Sequence, residues 1–302
     1  TGPSQRRRRR IGPVPWDLYL NVAIGGVLTG MVYGLMALGL SVIFGVVGVV
    51  NFAHGEMMAV AMYAAVIIFA QFHLDPLLLM LPVAAGLFIL GYLLQSSLIN
   101  RFIDRPEHVQ FILLVAVAII ITNGLLMAFG PNARTVLVSY GYDSFQIGRI
   151  LIDKVRAYAA LAALANAVLL FLFFRYAPVG KAIRACADNQ LGARVVGLNV
   201  KRLYALTFGL GSACVGAAGC MMVLLIDVTP TIGSSFTLLA FVIVIVGGLG
   251  SMAGALLGGV LIGLSEAMAG LILVPSAKSM FSFALLILVL FFRPQGLLGR
   301  RT

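Results

Sequence analysis

VVNFAHGEMMAV, Val49–Val60, sets an amide, an imidazole and a carboxylate (Asn51, His54 and Glu56) within six residues of an otherwise apolar region. Before it runs an apolar stretch from about Leu18 to Val50; after it the chain is apolar again from Met57 to Ala70. A crossing of the hydrocarbon core takes roughly 20 residues, so Leu18–Val50 is too long for one. Its seven glycines (Gly25, Gly26, Gly30, Gly34, Gly39, Gly45 and Gly48) allow a break, and the run reads as two segments. Asn51-Phe52-Ala53-His54-Gly55 then reads as a joint at membrane depth. There side chains satisfy freed backbone groups, and Glu56 suits the positive N-terminal end of the helix that follows.

Composition settles the setting of this joint. Of 302 residues, 61% are hydrophobic and 10% charged, with a mean hydropathy of +1.07. A soluble domain carries about 25% charged residues. The chain is therefore expected to be an all-α, polytopic transmembrane bundle of about 8–10 membrane segments, broken or re-entrant helices included. The net charge of +11 suggests nucleic acid in a soluble protein. In a membrane protein it follows from Lys and Arg collecting in cytoplasmic loops, so no nucleic-acid partner is expected. Cys186, Cys214 and Cys220 form no CxxC pair and read as small packing residues, not metal ligands.

Further apolar runs lie at about 77–99, 109–129, 157–174, 203–226, 236–249, 253–274 and 279–292. Charged loops separate them: Asn100–His108, the long Gly130–Arg156, and Arg175–Arg202 with six Lys and Arg. QRRRRR, Gln5–Arg10, belongs to a basic N-terminal tail, residues 1–16, which is expected in the cytoplasm without a cleaved signal peptide. Residues 17–302 form one transmembrane domain. With ten crossings, every basic cluster falls on the cytoplasmic side and so do both termini. Glycines at fourth-residue spacing, Gly250/Gly254/Gly258 and Gly259/Gly263, mark close helix packing within one subunit or between two. GVVNFAHGEMM and GVLIGLSEAM both place a Glu before a Met after a glycine-rich helix, which suggests an internal repeat.

Catalytic patterns are absent. Gly180–Lys181 is followed by Ala182, not Ser or Thr, so there is no phosphate loop, and HExxH, GxSxG and paired carboxylates do not occur. A conduit is expected, not an enzyme. Ionisable residues at membrane depth face a bundle interior or a water-filled path. Asn51, His54, Gly55, Glu56 and Glu266 are therefore the candidates for the translocation path or its helix break, and proton transfer through His54 and Glu56 is the other use of the same groups.

GKAIRACADNQLGARVVGLNVKRLYALTFGLG, Gly180–Gly211, is the most informative polar stretch. Arg184–Val196 is expected to form one short amphipathic helix, with Ile183, Ala187 and Leu191 toward one face and Gly197–Asn199 as its stop. In a basic loop, about residues 175–203, such a helix suits docking to a soluble partner. RACADN with VGLN (Arg184–Asn199), NFAHGE (Asn51–Glu56), VGGLGSMAGALLGG (Val246–Gly259) and SFALLILVLFFRPQGLLGR (Ser282–Arg300) together resemble the permease subunits of branched-chain amino acid ABC importers, from about Leu18 to Arg300.

The resemblance implies a transport subunit of the bacterial cytoplasmic (inner) membrane that binds no cofactor itself. It implies a homologous second permease, two cytoplasmic ATPases carrying ATP and Mg, an extracytoplasmic binding protein and surrounding lipid as partners. Arg184, Ala185, Asp188, Asn189, Gly197 and Asn199 would belong to the loop that couples to the ATPase. Related permeases for urea or short amides, and an ion-coupled carrier, are the alternative readings.

Overall fold

The computed structural model describes residues 16–103, 105–272 and 278–299. The arginine run Gln5–Arg10 lies outside the described residues. The apolar runs become α1 (Trp16–Val47), α2 (His54–Phe72), α3 (Pro76–Leu93), a π-helical stretch (Leu94–Ile99) leading into a short α4 (Asn100–Phe102), and α5 (Glu107–Phe129). After them come a β-hairpin, β1 (Ser144–Ile147) and β2 (Ile150–Asp153), then α6 (Lys154–Tyr176), α7 (Pro178–Asp188), α8 (Gln190–Val195) and α9 (Val200–Met222). The chain closes with α10 (Ile232–Gly247), α11 (Met252–Ile272) and α12 (Lys278–Phe292). Among the described residues seven helices are long and apolar enough to cross a membrane; α10 and α12 are shorter apolar helices. The protein is a multi-pass membrane bundle with a small hairpin at one end.

The first apolar run is one helix, not two. α1 has 32 residues and includes Trp16, assigned above to the tail. At about 1.5 Å per residue it is about 48 Å long, enough for the hydrocarbon and both headgroup layers. Its glycines do not break it, because in an apolar medium each unsatisfied backbone group costs several kcal/mol. They serve contact instead. A Cβ on Gly30 would lie 2.7 Å from the Gly259 carbonyl oxygen, and one on Gly34 3.1 Å from the Leu256 Cα. α1 and α11 thus meet backbone to backbone along Gly26, Gly30, Gly34, Gly259 and Gly263, and the glycine spacing serves packing within one subunit.

Losing one crossing changes the parity. Asn21 in α1 accepts a hydrogen bond from the Leu151 amide of β2 at 3.1 Å, and Asp17 lies 3.8 Å from Arg149, so α1 starts at the hairpin end of the bundle. Asp75, which caps α3, accepts a hydrogen bond from Tyr140 at the same end. Burial and this bond to Asp75 raise the Tyr140 phenol above its ordinary pKa. At the opposite, loop end, Asn100 donates to the Lys201 carbonyl, and the amides of Leu297 and Leu298 donate to Val246 and Gly247. Trp16 and Leu298 therefore stand at opposite ends of the described bundle.

A repeat does exist, in a different register from the one read above. α1 packs most extensively on α11 as α9 packs on α3, α2 meets α10, α2 lies against α5 as α10 lies against α12, and α2 touches α3 as α10 touches α11. The units α1–α2–α3–α5 and α9–α10–α11–α12 run in opposite directions, an inverted-topology repeat. α2, with Glu56, corresponds to α10, whereas the GVLIGLSEAM segment lies in α11 and corresponds to α3. α6, α7 and α8 connect the units.

Candidate functional site

α2 and α10 both begin inside the bundle. His54 Nε2 donates to the Met36 carbonyl at 3.0 Å. Met36 lies eleven residues, about 16 Å, back from the end of α1. Residues 48–53 climb back from the loop end without helical structure, and residues 223–231 descend from the hairpin end, where Val228 pairs with Arg134. The two N-termini meet there. The Gly55 amide donates to Thr237 Oγ1 at 2.9 Å, and a Cβ on Gly233 would fall 2.8 Å from the Glu56 Cα, so the crossing tolerates no side chain on either glycine.

Glu56 locks this crossing. Its Oε2 accepts from the Thr237 hydroxyl at 2.9 Å and its Oε1 from the Ser234 hydroxyl at 3.2 Å, both from the first turns of α10. The carboxylate therefore serves the positive ends of two helices at once. Asn51 Oδ1 accepts from the Ala53 amide at 3.0 Å and holds the non-helical segment. Asn51, His54 and Glu56 are all buried. Among the described residues no hydrogen bond joins His54 to Glu56, and His54 Nδ1 has no partner. The geometry is that of a joint rather than a proton wire. Thr237 and Ser234 escaped the sequence reading. The signal was present in TPTIGSSFT, Thr229–Thr237, a second Pro/Gly-interrupted apolar stretch placed as the first one is.

Thr237→Val is nearly isosteric and removes the hydroxyl that both accepts from Gly55 and donates to Glu56. Each buried group left unpaired costs about 1–3 kcal/mol. The expected outcome is a clear drop in thermal midpoint in detergent, with Thr237→Ser close to wild type.

Glu266 lies elsewhere, on α11 toward the hairpin end. It accepts from Ser282 at 2.8 Å and from the Tyr33 hydroxyl. It opens into a cavity of about 470 Å³ walled by α1, α11, the end of α9 and Arg156. A second cavity, of about 880 Å³, occupies the loop end of the same helix pair, between the end of α1, the start of α11 and the α7 residues Lys181, Arg184, Ala185 and Asp188. The glycine seam of α1 and α11 lies between the two.

The polar loop is two helices, which corrects the single helix expected over Arg184–Val196. Asn189 leaves helical geometry (φ −152°, ψ 98°), and its side chain accepts from the Gly192 amide at 2.8 Å to cap α8. Gly197, at φ +85°, ends α8, and Asn199 caps α9 by accepting from Arg202. Ile183 and Cys186 are buried beneath α7, and burial raises the Cys186 thiol above its ordinary pKa. Arg184, Ala185 and Ala187 are exposed where they line the open loop-end cavity, and Leu191, Val195 and Val196 are 75%, 81% and 74% exposed. The single face expected through Ile183, Ala187 and Leu191 is thus split, with Ile183 buried and the other two exposed, because α7 and α8 are separate helices.

Comparison with known proteins accounts for this arrangement. The chain is 32% identical to the high-affinity branched-chain amino acid transport system permease protein LivH of Escherichia coli (strain K12), over 93% of this chain and 96% of the relative. It is 28% identical to the corresponding permease protein BraD of Pseudomonas aeruginosa, with the same coverage. A further relative is the permease protein LivM of E. coli K12, 25% identical over 89% of this chain and 68% of its own length. No solved structure matches the chain. The family profile described as branched-chain amino acid transport system / permease component matches residues 22–290; with two cavities at the ends of one tightly sealed helix pair, the chain belongs to that family of permease components.

Proposed function

We propose that this chain is the permease subunit of an ATP-driven importer for branched-chain amino acids, working by alternating access. One observation carries the reading: α7 of the polar loop forms a wall of the loop-end cavity, so a push on the loop bears directly on the ends of α1 and α11. Their glycine seam separates that cavity from the one at the hairpin end. Helices packed backbone to backbone shift as rigid pieces, and the Glu56 joint is a hinge at which half-helices pivot.

Charge sets the orientation. Among the described residues the loop end carries Arg101, Arg105, Arg175, Lys181, Arg184, Arg194, Lys201, Arg202 and Arg293 against Glu107 and Asp188. The hairpin end carries Arg134, Arg149, Lys154, Arg156 and Lys278 against five aspartates. The loop end therefore faces the cytoplasm of a bacterial inner membrane, and α1 begins outside. Two ATPases bind α7 and α8 and hold the ATP and Mg; the hairpin end receives substrate from a binding protein. The similarity to both LivH and LivM supports a homologous second permease. Ser234 and Ser235, exposed at membrane depth at the start of α10, are a surface suited to that subunit rather than to lipid.

The test is uptake of labelled leucine by vesicles holding the complete complex. ATP-dependent uptake that persists with an uncoupler is expected. Uptake abolished by the uncoupler while ATP is present would overturn the reading in favour of an ion-coupled carrier.

A further inference from the structure

The hairpin-end cavity holds two opposite charges that do not neutralise one another. Arg156 and Glu266 both line it, and no ion pair among the described residues joins them. Among the described residues the carboxylate that Arg156 pairs with is Asp153, through Nε at 3.9 Å. Its Nη1 lies across α1 where Gly25 has no side chain; a Cβ there would be 2.6 Å away. Glu266 is steadied by Ser282 and Tyr33. An ionised carboxylate has about four acceptor positions, so it retains room for a further donor. The rest of the lining mixes apolar side chains, among them Val22, Leu225, Ile226 and Leu271, with Thr29 and Tyr33. The volume of about 470 Å³ falls within the roughly 300–1,000 Å³ usual for small-molecule pockets.

We propose that this cavity receives a zwitterionic amino acid with an apolar side chain, Arg156 holding its α-carboxylate and Glu266 its α-ammonium. A simple anion gains from Arg156 but is repelled by Glu266, a simple cation the reverse, and a neutral amide makes hydrogen bonds to either group in place of a full ion pair, so a zwitterion gains most. The inference rests on the transport reading above, since it makes the cavity the first station for substrate arriving at the hairpin end.

The test uses the assembled complex, purified without its binding protein, and measures labelled leucine displaced by leucine, by leucinamide (no carboxylate) and by 4-methylpentanoate (no ammonium). Arg156→Gln and Glu266→Gln are each expected to weaken leucine binding at least tenfold. The preference for leucine over leucinamide should collapse only in Arg156→Gln, and that over 4-methylpentanoate only in Glu266→Gln. Glu266→Asp, which keeps the charge, should retain both preferences and covers the case in which the Gln variant does not fold. Unchanged affinity, or weakened affinity with both preferences intact, overturns the assignment, because a structural role does not discriminate ligand charge. Leucine uptake by wild-type vesicles reports separately on the transport reading: uptake with unaffected variants sinks the site alone, and no uptake sinks the parent reading.

Discussion

Gly259→Leu is expected to leave almost no folded protein on size-exclusion chromatography of detergent extracts. A Cβ at this position meets the backbone of Gly34 and lies 2.8 Å from the Gly30 carbonyl oxygen, and backbone atoms of a 32-residue helix cannot rotate aside as a side-chain tip can. Overpacking costs about 1–3 kcal/mol even in cores that yield. Here the remaining leucine atoms would have to part the most extensive helix pair in the protein. Total stability of a folded domain is about 5–15 kcal/mol, so loss of this seam is not absorbed. Gly86→Leu and Gly124→Leu supply the control, because an added Cβ at either meets nothing within 4 Å. Both should elute as wild type. If Gly259→Leu does so too, α1 and α11 do not pack as described.

Leu191→Asp combined with Val195→Asp is expected to lower ATP-driven leucine uptake more than tenfold while the permease stays folded. Both side chains are exposed on α8, 75% and 81%, so nothing is lost from the core, and surface substitutions usually change stability by no more than about 0.5 kcal/mol. Two carboxylates would, however, enter the proposed contact between α8 and an ATPase, where unpaired charge is heavily penalised. Co-purification of the ATPases and their stimulation by the liganded binding protein should fall together with uptake. Full uptake with intact co-purification would mean that α8 is not the docking surface.

Much of this was legible in the residues. Apolar runs near crossing length set the helical segments, because each helix in lipid must satisfy its own backbone. The Asn-His-Gly-Glu cluster marked the start of α2 because polar side chains at that depth need partners. GLN, Gly197–Asn199, marked the end of the loop helix because glycine takes the left-handed conformation there. Other features misled. Glycines in α1 look alike whether they end a helix or admit a neighbour, and only the presence of α11 against them distinguishes the two. That one ambiguity added a crossing. Asn189 likewise reads as a helix residue until its side chain is seen capping α8.

By itself, then, the sequence determined the medium, the approximate limits of most apolar segments, the polar joint and the family. These depend on composition and on contacts a few residues apart. Tertiary structure alone decided that α2 crosses α10, that Glu56 is held by Ser234 and Thr237 some 180 positions away, that the two halves are inverted, and that Arg156 and Glu266 share one cavity. Each of these depends on which helix faces which, and in a bundle apolar on nearly every side no periodicity in the chain encodes that choice.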